Sequence, residues 1–167
     1  MFASKNIESL LASGTTVISD RYYHSGVVYS AAKQNPALPL TWARSPERGL
    51  PRPDLVLFLD LSPEEARARG GWGDEVYEKE EMQKRVRELF WALSMGGKDA
   101  GAESVLGAAE AQKLGQGGVW RQEEEDLTVV DAGGSVEEVQ SEIWKKVEAR
   151  LEQVTKGELG SKVRTVQ

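Results

Sequence analysis

The chain has 167 residues, 40% of them hydrophobic and 29% charged, with a formal net charge of −6. That size and balance suit one soluble globular domain with a real core, and the negative charge provides no general attraction to nucleic acid or anionic membrane. Cysteine is absent and His24 is the single histidine, which excludes disulfides, thiolate metal sites, a cysteine nucleophile and a histidine cluster for zinc.

No apolar run approaches the roughly 20 residues of a membrane span, and the N-terminus lacks the basic-then-apolar layout of a secretory signal. A cytoplasmic or nuclear protein is the expectation. Asn6 to Ser13 reads as a short helix with Ile7, Leu10 and Leu11 on one face, closed by Gly14. Thr15–Ser19 (TTVIS) follows as a strand without polar alternation, the pattern of a parallel sheet covered on both faces. Tyr22 to Lys33 reads as a loop entering a helix, interrupted at Gly26. Gln34–Pro53 carries five of the six prolines and is expected to be irregular connection.

Asp54–Leu61 (DLVLFLDL) is the clearest strand, apolar at nearly every position. Ser62 then looks like an N-cap, with Pro63 in the first turn and Glu65 completing a capping box. Arg69–Gly73 (RGGWG) interrupts before a helix from about Lys79 to Leu93, with Met82, Val86, Leu89 and Phe90 on one face. Gly96 to Gly118 holds seven glycines and reads as an insertion outside the core. Leu127–Ala132 is a third strand. Ser135 and Glu138 cap a last helix striped by Val136, Val139, Ile143, Val147 and Leu151. The tail from Lys156 is polar and expected to be loose.

Helices alternating with buried strands predict an α/β protein with a parallel sheet, in one domain over residues 1–155 followed by a polar tail over 156–167. Such sheets bind ligands beyond the carboxyl ends of their strands. Asp20-Arg21, the Leu61–Ser62 junction and Asp131-Ala132 all fall at that edge. There Asp20 could hold a metal-bound water and Arg21 could fork onto a phosphate, since planar guanidinium donors match phosphate oxygens in pairs. The same dipeptide also serves as a plain strand-end salt bridge. Tyr29 and Tyr77 could be packing aromatics, Gln83 a solvated helix residue, and Arg67 and Arg69 partners of Glu64 and Glu65 on an exposed helix, worth little. The acidic run Glu123–Asp126 reads as a solvated segment.

The ordered strings DRYYHSGVVYSAAK, RSPERGLPRPDLVLFLDLSPEEARARGGWGDEVYEKEEMQKRV and VVDAGGSVEEV resemble thymidylate kinases, the eukaryotic type in particular. The likeness runs from about Gly14 to Met95 and resumes from Leu127 to about Val147. It implies a three-layer P-loop-kinase-like fold and transfer of the ATP γ-phosphoryl group to thymidylate (dTMP), giving dTDP for dTTP biosynthesis. By the same resemblance Arg21 binds the acceptor phosphate, and Asp20, through water, helps organise Mg²⁺ and the transferring group. Ser25, Gly26 and Tyr29 approach thymine, while Tyr77 and Gln83 face the sugar. Arg69 meets the ATP side, Asp131, Ala132 and Gly133 lie beside adenine, and residues 67–78 form a mobile lid. ATP and dTMP are then the partners, with a homodimer allowed. Val76 departs from the pattern, because relatives often carry a basic residue there.

A Walker A string, G-x-x-x-x-G-K-[ST], is part of that family's chemistry. None occurs here; the single Gly-Lys step, Gly97-Lys98, continues with Asp99. The expectation is therefore a chain lacking the N-terminal P-loop strand, one that does not turn over by itself. Without that strand the segments matching Val17–Ser19 and Leu55–Leu61 lose their shared neighbour. An inactive nucleotide-binding fragment and another nucleoside monophosphate kinase of the same fold are the alternatives.

Overall fold

The computed structural model describes residues 2–35, 40–70, 76–94 and 126–166. The first helix, α1, spans Phe2–Ala12, longer than its apolar face alone predicts, and ends at Gly14 in the left-handed conformation, φ 78°. Helix α2 is Tyr23–Ala32 and runs unbroken through Gly26. One glycine costs a helix only about 1 kcal/mol, which the burial of Val27, Val28, Ala31 and Ala32 around it offsets. The proline-rich stretch is not wholly irregular either: Leu40–Arg44 forms the short helix α3, followed by a 3-10 turn over Ser45–Glu47.

Strand β1 (Val56–Asp60) is followed by helix α4 (Pro63–Ala68), whose N-terminus carries the expected capping box between Ser62 and Glu65. Helix α5 spans Val76–Ser94, strand β2 Leu127–Asp131 and helix α6 Val136–Thr155. Ser135 and Glu138 form the second capping box. The two strands pair in parallel, Val56 opposite Leu127 through Asp60 opposite Asp131. Both therefore end on an acid at the same edge.

Three strands were expected, and among the described residues two form a ladder. Thr15–Ser19 forms no strand, and Ile18 is 94% exposed. An apolar run becomes a strand only when a neighbour supplies ladder partners. Strand β1 packs against the core on one face. Val56 and Phe58 pack against the core, whereas Leu59, on the opposite face, is exposed.

The core lies between one face of this ribbon, α2 and α5. It joins Tyr23, Val27, Val28 and Ala32 to Val86, Leu89, Phe90 and Leu93, and Phe58 stacks on Phe90 with ring centroids 4.4 Å apart. Arg85 ties α5 to the end of α2 by donating to the Ala32 carbonyl at 2.9 Å.

The tail is not loose. Gly49 N–H donates to the Val166 carbonyl, Val166 N–H to that of Leu50, and Arg52 N–H to that of Arg164, which buries Val166. Asp126 also departs from expectation. It is 2% exposed and accepts from Arg52 Nε at 2.5 Å and from Arg164 Nη2 at 3.2 Å. A carboxylate at that depth requires such cations.

Candidate functional site

Apart from Tyr77 and Gln83 on α5, the residues singled out from the sequence gather in two groups. The first surrounds the turn entering α2. Arg21 has φ 64°, a left-handed backbone that costs a non-glycine residue roughly 1–2 kcal/mol. Ser19 Oγ steadies the turn by donating to the Arg21 carbonyl at 2.8 Å. The Arg21 side chain is exposed, with its guanidinium carbon 5.9 Å from the centre of the Tyr29 ring. Asp20, next to it, is exposed. Ser25 and Tyr29 lie four residues apart and hence on one face of α2, and both are half-buried. Gly26 is exposed, and a Cβ there would meet nothing within 4 Å, so the helix surface is bare beside Ser25.

His24, in the same turn, points the other way. It is 4% exposed, its ring stacks on Tyr23 at 3.9 Å, and burial together with the positive fields of Arg44 and Arg52 pushes its pKa down to about 3. A neutral, buried imidazole of this kind belongs to the core.

The second group stands at the carboxyl edge of the ribbon. Ala132 N–H donates to the Asp60 carbonyl at 2.7 Å, tying the loop after β2 to the end of β1. Arg69, just past α4, donates through Nη2 to the carbonyls of Ala132 at 2.6 Å and Gly134 at 3.0 Å. It does not pair with Glu64 or Glu65; it fastens a loop. Gly133 N–H donates to Asp131 Oδ1 at 2.8 Å. A Cβ on Gly133 would lie 2.7 Å from Glu65 Oε1 and 3.1 Å from Asp131 Oδ1, so a side chain there would have to push the Glu65 carboxylate aside.

Sequence reasoning missed the side chain of Asp60 in this group. Period-2 alternation puts Asp60 on the face of Val56 and Phe58, toward α5. There Arg87 forks onto it, Nε to Oδ1 at 2.6 Å and Nη2 to Oδ2 at 2.7 Å. Burial raises the Asp60 pKa, but hydrogen bonds from Arg87 and Trp91, the charge of Arg87 and the Leu61 amide hold it below the ordinary value. The available signal was an acid ending an apolar strand, and nothing in the letters named its partner. Arg67 pairs with Glu80, joining α4 to α5.

Gln83 is exposed on α5, and Tyr77 falls in the first turn of that helix. The side chain of Tyr77, residues 71–75 of the expected lid, Trp72 among them, and the glycine-rich stretch expected to be an insertion lie outside the described residues.

A family model described as thymidylate kinase matches residues 1–99. The chain belongs to the thymidylate kinase family. A thymidylate kinase of Arabidopsis thaliana is 51% identical over 87 residues, covering 52% of this chain and 32% of its own length. The Homo sapiens thymidylate kinase is 44% identical over 87 residues, covering 52% of this chain and 40% of its own. Among solved structures, a thymidylate kinase from Candida albicans superimposes with a TM-score of 0.63 at 26% identity, over 98% of this chain and 67% of that one. The chain thus spans less than half the length of these two curated relatives, and its α/β fold is that of the thymidylate kinase superimposed on it.

Proposed function

We propose that this chain carries the acceptor-nucleotide half of a thymidylate kinase, an enzyme passing the γ-phosphoryl group of ATP to dTMP to give dTDP. The observation that carries the reading is Arg21, held in a strained left-handed turn with its guanidinium free to solvent above Tyr29. Backbone strain of this kind persists where it places a working group. The Arg21 fork binds the phosphate of dTMP, and the bare helix surface at Ser25 and Gly26, walled by Tyr29, receives thymine. Tyr77 and Gln83 face the sugar.

On the donor side Asp131, Ala132 and Gly133 flank adenine. Arg69, bonded to the carbonyls of Ala132 and Gly134, holds that loop in shape. Residues 67–78 close as a lid that excludes water. Asp20 is the carboxylate for Mg²⁺, acting through water. One carboxylate plus nucleotide phosphates and waters is a donor set that magnesium favours, and among the described residues no group of three or more His, Cys, Asp or Glu could hold a metal. When bound, the ion neutralises charge on the transferring phosphoryl group.

The rest of the proposal is a cytoplasmic or nuclear enzyme, able to form a homodimer and supplying dTTP for DNA synthesis. Among the described residues no helix is long and apolar enough to cross a membrane.

The alternative, a second reading, is binding of thymidylate without turnover. ADP production with dTMP, measured for this chain and for one extended upstream by a strand and Walker A loop, separates the two. Turnover by the extended chain alone supports the kinase with its phosphate cradle supplied upstream. Binding without turnover in either chain supports the second reading, and neither binding nor turnover overturns both.

A further inference from the structure

The Asp60–Arg87 pair has no place in the reading above, yet it is the most completely formed ionic contact at the ligand edge. Asp60 is 8% exposed, and both of its oxygens are taken by one guanidinium at 2.6 and 2.7 Å. Its carbonyl accepts from Ala132, so the residue is tied to β2 through its backbone and to α5 through its side chain. A planar two-point fork fixes direction as well as distance, which a single-point contact does not. Gln83 lies one helical turn before Arg87, on the same face of α5. Whatever sets the position of Arg87 over the end of β1 also sets that of Gln83, because the helix between them is rigid.

We propose that Asp60 is a positioning residue for the acceptor nucleotide: by clamping Arg87 it sets the height and rotation of α5, and so of Gln83, over the carboxyl rim. This inference rests on the functional reading above. Asp60 need not touch the nucleotide. The Arg67–Glu80 pair supports the same helix near its start, and the Phe58–Phe90 stack packs it on the sheet; Asp60 adds the directional contact between the two.

The test is calorimetric titration of the full 167-residue chain with thymidine 5′-monophosphate, alongside thermal melting. D60N, which cannot hold the ion pair, is expected to weaken thymidylate binding about tenfold, the scale of one charge-assisted contact. D60E keeps the charge but lengthens the clamp by one methylene. It is expected to melt with the wild type yet bind several-fold more weakly, a split that a merely stabilising pair would not produce. The charge-swapped double variant D60R/R87D is expected to recover part of the affinity lost in D60N. Should D60N fail to fold, D60E carries the test. Wild-type affinity in both D60N and D60E, with the wild type binding, overturns this inference alone. A wild-type chain that binds no thymidylate overturns the functional reading and this inference together.

Discussion

Arg21 keeps a left-handed backbone, with a serine hydroxyl bonded to its carbonyl and α2 starting just beyond it, and among the described residues its guanidinium is paired with no acid. Replacing it by glutamine leaves the fold intact on this account, because the side chain is exposed. R21Q is expected to lower thymidylate affinity by roughly ten- to a hundredfold, as for a lost charged hydrogen-bond pair, with unchanged melting; calorimetry reads the first and a thermal scan the second. His24 is the opposite case, a titratable group used for packing. Its folded pKa of about 3 lies below the unfolded value near 6.5. Between those values the unfolded chain binds a proton that the folded chain refuses. Stability is therefore expected to fall as pH drops from about 6.5 toward 3, by at most about 1.4 kcal/mol per pH unit from this residue. Denaturant melts across that range check it: H24Q should flatten the slope, and an unchanged slope would contradict the assignment.

At the scale of elements, the two helices that follow the strands, α4 and α6, start on capping boxes, Ser62 with Glu65 and Ser135 with Glu138. Each satisfies amides that a helix start leaves open. The first box also abuts the loop after β2: Glu65 accepts in the cap through Oε2, and its other oxygen, Oε1, is the atom a Cβ on Gly133 would strike. Accordingly S62A is expected to cost about 1 kcal/mol, and G133A a similar amount by driving Glu65 out of its cap. Since both act through Glu65, the double variant should cost less than the sum, and strict additivity in urea melts would separate the loop from the cap. These caps were legible beforehand, because a cap is a contact between residues three apart. The failure of Thr15–Ser19 to form a strand was not legible from its own letters: its apolar pattern is met only when ladder partners stand beside it.

For the whole molecule, the tail closes the end of the sheet opposite the carboxyl ends of β1 and β2. Arg164 reaches Asp54 Oδ1 at 3.0 Å, Asp126 Oδ1 at 3.2 Å and the Pro53 carbonyl at 3.2 Å, while Val166 is buried beside Leu50. R164A leaves Arg52 as the cation on a buried carboxylate and is expected to cost about 1–3 kcal/mol. The tail should also become open to proteolysis well before global unfolding. Limited digestion with mass spectrometry reads this, and a tail equally resistant in R164A would show that Val166 alone anchors it.

From the letters alone came the α/β class, the capping boxes, strands over 54–61 and 127–132, which the structure trims to 56–60 and 127–131, and Asp131 at the end of the second; a family resemblance carried by strings such as SGVVYSAAK stood beside them. Each rests on periodicity or on short-range chemistry, which a linear chain displays directly. The partners of the charges were decided only in three dimensions: Arg87 for Asp60, Arg69 for the loop after β2, and Arg164, from the tail, for Asp126. Those pairs join residues 27, 63 and 38 positions apart, and folding brings such groups together through packing of apolar faces that are indifferent to which charge ends up opposite which.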